Sequence, residues 1–257
     1  MGVRRIAAGH FACHTIMIEG AALFLIALLG AGLGEALGEG MKKNLPLLLS
    51  FGGAFLLGLC FLHLLPEAFV ANGHAGFWVI GGFLIQIGLE YLSQGIEHGH
   101  VQDNRFGLLA FISLCHHAFI EAMPFGLEGA GEVVHAHDHH HHHHGEGNWA
   151  LLLGIGMHKL PVAIALMTIL RATVGQRMRR WAWILVFALT PLAGIFMAGH
   201  LPQDPATFGA LNGLVVGILL HIATTILFET ADGHEFNGRK FLTVLSGLGM
   251  SLLTTHL

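Results

Sequence analysis

The side chains best equipped for chemistry in this 257-residue chain are histidines and carboxylates set inside otherwise apolar runs. In His116-His117-Ala118-Phe119-Ile120-Glu121, His117 and Glu121 stand four residues apart, on one face of a helix. An imidazole and a carboxylate so placed can grip one cation, or can form a hydrogen-bonded structural contact. Further along, Met157-His158-Lys159-Leu160-Pro161 places an imidazole and an ammonium about nine to ten residues into an apolar run, near the bilayer midplane for a rise of about 1.5 Å per residue. His117, Glu121 and His158 together offer two nitrogens and a carboxylate, a set that suits zinc with room left for water. Lys159 cannot ligate while protonated. It is either a fixed positive charge beside the ion or a salt-bridge partner of Glu121.

Other polar groups lie along the same apolar runs. His63 and Glu67 sit at one-turn spacing in Phe61-Leu62-His63-Leu64-Leu65-Pro66-Glu67, and His221 and Glu229 share a later run. They are stepping stones for an ion or polar pairs holding helices in register. His98 and His100, in Glu97-His98-Gly99-His100, fall at the cytoplasmic edge, where they would receive a departing ion or be solvated side chains. Glu19 and Glu90 have no assigned role. The tract HAHDHHHHHH at 135–144 is polar and low in complexity, so it belongs to an external loop at about 130–147. It gathers metal, is an inserted tag, or is an inconsequential linker, with its place between two apolar runs arguing against a tag.

The elements that must carry these residues follow from composition. With 54% hydrophobic and 11% charged residues, the chain falls far from the roughly one-quarter charged content of soluble domains. A soluble domain is excluded, as is an outer-membrane barrel with its short alternating strands. Twelve Lys and Arg against sixteen Asp and Glu leave no basic excess for a nucleic-acid partner. Cys13, Cys60 and Cys115 are odd in number, lack CxxC spacing and read as small buried apolar residues. Arg4 and Arg5 precede an apolar run as in a signal peptide, but Glu19 interrupts that run, so a retained first helix is expected.

Eight hydrophobic segments run near 12–36, 45–70, 76–96, 106–127, 149–170, 181–200, 207–229 and 239–256. The expected fold is an all-α membrane protein of about eight transmembrane helices in one bundle, a single transporter domain over 1–257. Nine of the twelve basic residues fall in odd-numbered loops, among them Lys42, Lys43, Arg105, Arg171, Arg177, Arg179 and Arg180. By the positive-inside rule those loops face the cytoplasm and both termini face out, with Arg4 and Arg5 the dissent. An integral protein of the cell (inner) membrane is the expected setting. Glycines inside the segments permit close helix packing. Gly58, His63 and Glu67 loosely echo Gly217, His221 and Glu229, a weak sign of an inverted repeat. Pro124 and Pro161 are expected to kink the fourth and fifth helices beside the polar clusters.

These runs resemble the ZIP family of divalent metal transporters across essentially the whole chain. FLHLLPEA at 61–68 is similar to that family's second-helix pattern, HHAFIEAMPFG to its fourth-helix His-x-x-x-Glu motif, and MHKLP to its fifth-helix pattern. The resemblance implies an eight-helix carrier with an inverted repeat and a site between helices four and five, formed by His117, Glu121 and His158. Its cargo would be zinc, iron, manganese or a related ion such as cadmium or cobalt, moved into the cytoplasm. The sequence departs from members with a two-metal centre at Ala118, Lys159 and Val162, so one central metal is expected, with the ammonium of Lys159 standing in for a second ion.

The expected partners are the metal ion and the lipid bilayer, with a homodimer left open and no prosthetic group. Two other readings stand beside transport. An intramembrane metal-dependent hydrolase would need a metal-bound water and a general base, but HExxH is absent and no enzyme is expected. A metal-binding sensor would bind the ion and pass none.

Overall fold

The computed structural model describes residues 2–37, 45–93, 107–127, 149–229 and 238–254. Every regular element among them is helical, as a lipid-embedded backbone requires when it must satisfy its own hydrogen bonds. In chain order they are α1 (Gly2–Leu37), α2 (Leu45–Leu59), a π turn (Cys60–Leu64), α3 (Leu65–Ala71), α4 (Ala75–Ser93), α5 (Leu108–Ala122), a 3-10 turn (Met123–Leu127), α6 (Trp149–Thr173), α7 (Arg177–Ala198), α8 (Pro205–Glu229) and α9 (Gly238–Thr254). Among the described residues, six stretches are long and apolar enough to cross a membrane: Met17–Leu37, Leu45–Ala71, Leu108–Leu127, Leu151–Thr173, Arg177–Ala198 and Pro205–Phe228. The chain is thus an all-α integral membrane protein. The apolar part of α4, Ala75–Tyr91, is shorter, and α9 has 17 residues. Large apolar side chains point outward, Phe77, Phe196 and Phe228 among them, where lipid rather than water receives them.

Prolines act differently along the chain. Pro66 removes the donor that would close the next α turn, and immediately before it the helix widens so that the Leu65 N–H reaches the Cys60 carbonyl. At Pro124 the chain tightens into the 3-10 turn, with the Met123 N–H bonded to the Ile120 carbonyl. Pro161 does neither. There α6 continues as α-helix on both sides of the ring. The Met157 carbonyl that Pro161 deprives of its donor faces α2 at Gly52, where an added methyl carbon would lie 3.5 Å away.

Glycine seams join the helices in pairs. A methyl group at Gly30 would come within 2.6 Å of the Leu160 carbonyl oxygen, and one at Gly34 within 2.9 Å of that of Ile164, so α1 lies backbone to backbone on α6. Gly194 of α7 similarly meets the Phe119 carbonyl of α5, and Gly247 of α9 meets that of Phe51 in α2. The α4–α8 seam is reciprocal, with Gly82 against the Leu214 carbonyl and Gly217 against that of Val79. Where lipid is as apolar as the side chains, such close approach supplies the packing attraction that a hydrophobic effect cannot.

Two large apolar clusters make up most of the described interior. One gathers Phe55, Leu59, Phe125, Ile155, Leu219 and Ile222 from α2, the 3-10 turn, α6 and α8. The other gathers Ala27, Leu114, Val162, Leu166, Ile184 and Phe187 from α1, α5, α6 and α7. Helices α5 and α6 contribute to both, and the polar cluster lies on them where one gives way to the other.

Candidate metal centre

Helix α5 places His117 and Glu121 one turn apart just ahead of the 3-10 turn, and α6 places His158 and Lys159 in its first half. All four are sealed, with 1–3% of each residue exposed. His117 Nε2 lies 3.0 Å from Glu121 Oε2. Lys159 Nζ donates to the other carboxylate oxygen, Oε1, at 3.0 Å. The rings of His117 and His158 meet edge to face, their centroids 5.9 Å apart. The Lys159 ammonium also stands over the Phe187 ring, 4.9 Å from its centroid, a cation–π contact in a desolvated setting. Ala118 and Val162 are buried apolar neighbours that add no donor. His116, next in sequence, is exposed.

The three expected ligands therefore occupy one neighbourhood, and Lys159 is the salt-bridge partner of Glu121. Among the described residues, no three His, Cys, Asp or Glu side chains stand arranged to hold a metal ion. Glu121 gives one oxygen to the ammonium and turns the other toward His117. A cation entering here has to take Glu121 from one of these partners.

The remaining polar residues lie elsewhere. His63 rides on the π turn, half-buried, its Nε2 enclosed and without a hydrogen-bond partner among the described residues. A turn later Glu67 faces α8, where Asn212 Nδ2 donates to its Oε2 at 3.5 Å, a long contact. His221 pairs through Nε2 with Glu90 Oε2 of α4 and sets its ring edge-on to Phe83, with centroids 4.9 Å apart. It thus ties α8 to α4. The side chain of Glu229, the pair His98 and His100, the His-rich loop at about 130–147 and the basic residues Lys42, Lys43 and Arg105 all lie outside the described residues.

Two partners escape a reading by motif. Glu90 follows the fully buried Gln86 by one helical turn in an otherwise apolar segment, and that polar stripe is the signal that marks it. Asn212, only 1% exposed, carries no charge, so a search for ionisable groups passes over it. A third polar group closes the α1, α6 and α7 ends. Arg180 reaches Glu35 Oε1 at 2.9 Å, and Arg171 donates to the carbonyls of Gly34 at 3.2 Å and Glu35 at 2.6 Å.

No protein-family model matches the chain, and no curated protein sequence matches it. The case for a function rests on the residues themselves.

Proposed function

We propose that the chain carries a divalent transition metal into the cytoplasm by alternating access, in the manner of ZIP transporters, with eight spans, an inverted repeat and both termini outside. Zinc is the leading cargo, and iron, manganese, cadmium and cobalt are related candidates. The observation that carries this reading is a buried imidazole–carboxylate–imidazole group shared by two helices, with His117 Nε2 3.0 Å from Glu121 and His158 beside it. Ionisable side chains at this depth are costly and tend to mark a pathway or a site. Two nitrogens and one oxygen are donors that zinc accepts, and the borderline character of imidazole favours such ions over calcium or magnesium.

In this reading His117 and His158 ligate through neutral nitrogens and Glu121 supplies the anionic oxygen. Lys159 neutralises Glu121 while no cargo is present and keeps one positive charge beside the bound ion, which restricts the centre to a single metal. Moderate affinity follows, as a carrier needs in order to release its cargo. The histidines of the 130–147 loop collect ions outside, and His98 and His100 receive them inside. His63, Glu67, His221 and Glu229 are pathway residues or, where paired, helix ties.

Metal uptake into proteoliposomes tests the proposal. The parent protein should accumulate zinc, and His117→Ala, Glu121→Ala and His158→Ala should each reduce the rate at least tenfold at equal incorporation. Variants that match the parent would refute the site, and a parent that binds zinc yet passes none would make the protein a sensor.

A further inference from the structure

Helices α1 and α7 leave a groove of about 340 Å³ on the outer face, lined by Leu25, Leu28, Leu29, Gly32, Leu33 and Trp181. Its walls are almost wholly apolar, and Leu25, Leu29 and Leu33 recur every four residues along one stripe of α1. Gly32 forms part of its floor. A methyl carbon there would meet nothing within 4 Å among the described residues, so the side chain missing at this position leaves open space rather than a seam between helices.

One end of the groove is charged. Arg177 precedes Trp181 by one turn and lies on the same face of α7, with its side chain 73% exposed. Its ion pair is loose, with Nε 3.8 Å from Glu35 Oε1, and an exposed contact of that length is weak. Arg180 and Arg171 converge on the same place, Arg180 on the Glu35 carboxylate and Arg171 on the backbone carbonyls of Gly34 and Glu35. Two guanidinium groups, Arg177 and Arg180, thus share one carboxylate while Arg171 holds the backbone beside it, and among the described residues Arg177 keeps N–H donors to spare. Trp181, at the boundary of the charged end and the apolar groove, suits a membrane interface.

We propose that this face binds an anionic phospholipid, one acyl chain lying along the α1 stripe and the headgroup phosphate held by Arg177. The apolar groove, its opening to the lipid side and a positively charged end at its mouth match a molecule with a long apolar tail and an anionic head. Basic pockets at helix ends recognise anionic headgroups by this chemistry. Arg179, two residues from Arg177, projects from the opposite side of the helix and carries the same charge without facing the groove.

Native mass spectrometry of the detergent-purified protein, titrated with phosphatidylglycerol or phosphatidylcholine of identical chains, tests this. Phosphatidylglycerol should bind at least tenfold more tightly. Arg177→Gln should bring that preference below threefold while Arg179→Gln leaves it unchanged. Gly32→Leu, whose side chain enters open space, should weaken both lipids with the elution profile and thermal unfolding of the parent retained. Equal binding of the two lipids, or equal losses from Arg177→Gln and Arg179→Gln, would overturn the proposal. So would a Gly32→Leu variant that binds both lipids as the parent does.

Discussion

Lys159 Nζ donates to Glu121 Oε1 at 3.0 Å across two helices that belong to different glycine-sealed pairs, α6 with α1 and α5 with α7. The bridge joins two bodies at their common boundary, and neither charge has water to fall back on. Removing the ammonium should therefore strand a buried carboxylate. Lys159→Met is expected to cost about 3 to 5 kcal/mol of stability, and adding Glu121→Gln to it should restore at least half. Unfolding of the purified variants in detergent measures both, and a Lys159→Met protein as stable as the parent would exclude a buried bridge.

Imidazole ligation predicts acid sensitivity. A proton and a metal ion compete for the same nitrogen, so zinc binding should weaken as the solution is made more acidic. Calorimetric titrations at several pH values between 5.5 and 7.5 would show it. An affinity constant across that range would exclude direct coordination by His117 and His158.

Two adjacent glycines should respond in opposite ways. Gly82→Ala drives a methyl group into the Leu214 carbonyl and is expected to destabilise by about 1 to 3 kcal/mol. Gly81→Ala meets nothing within 4 Å and should be neutral or slightly stabilising, because alanine favours helix. The difference in melting temperature between the two variants is the readout.

The His221–Glu90 pair is testable by a double-mutant cycle. His221→Ala and Glu90→Ala should be non-additive, with a coupling of about 0.5 to 3 kcal/mol. Additive losses would mean that the two side chains act independently of each other.

At the start of α8, Asp204 accepts hydrogen bonds from the Thr207 N–H at 3.0 Å and the Thr207 hydroxyl at 2.8 Å. Those bonds hold its carboxyl below the usual range. A depressed carboxyl contributes stability above its unfolded value and loses it as pH falls through the folded one, so acid should loosen this helix start. Asp204→Asn keeps a capping oxygen and should remove the pH dependence, whereas Asp204→Ala should lower the melting temperature at neutral pH. Melting curves at pH 3 and pH 7 compare them.

Much of the helical layout can be read from the residues alone, because a lipid layer admits few solutions. The run near 45–70 emerges as Leu45–Ala71 and that near 207–229 as Pro205–Glu229. The company that His117, Glu121, His158 and Lys159 keep is legible too, since four ionisable groups on two apolar helices have few partners but one another. The effect of each proline is not. Pro66 follows a π turn and Pro161 lies within a continuous α-helix, although each removes the same backbone donor. Nor does sequence reveal that His221 pairs with Glu90, because that contact depends on how α4 and α8 register. The first helix also begins earlier than hydropathy suggests, at Gly2 rather than near 12, since polar residues can extend a helix beyond the apolar stretch.

The reciprocal glycines of α4 and α8 have a mechanical consequence. Each backbone is keyed into the other from both sides, Gly82 at Leu214 and Gly217 at Val79, so sliding one helix past the other would force carbonyls through carbonyls. The two must travel together as a single plank. Any rearrangement that uncovered the interior would have its hinges elsewhere, along margins where side chains rather than main chains touch.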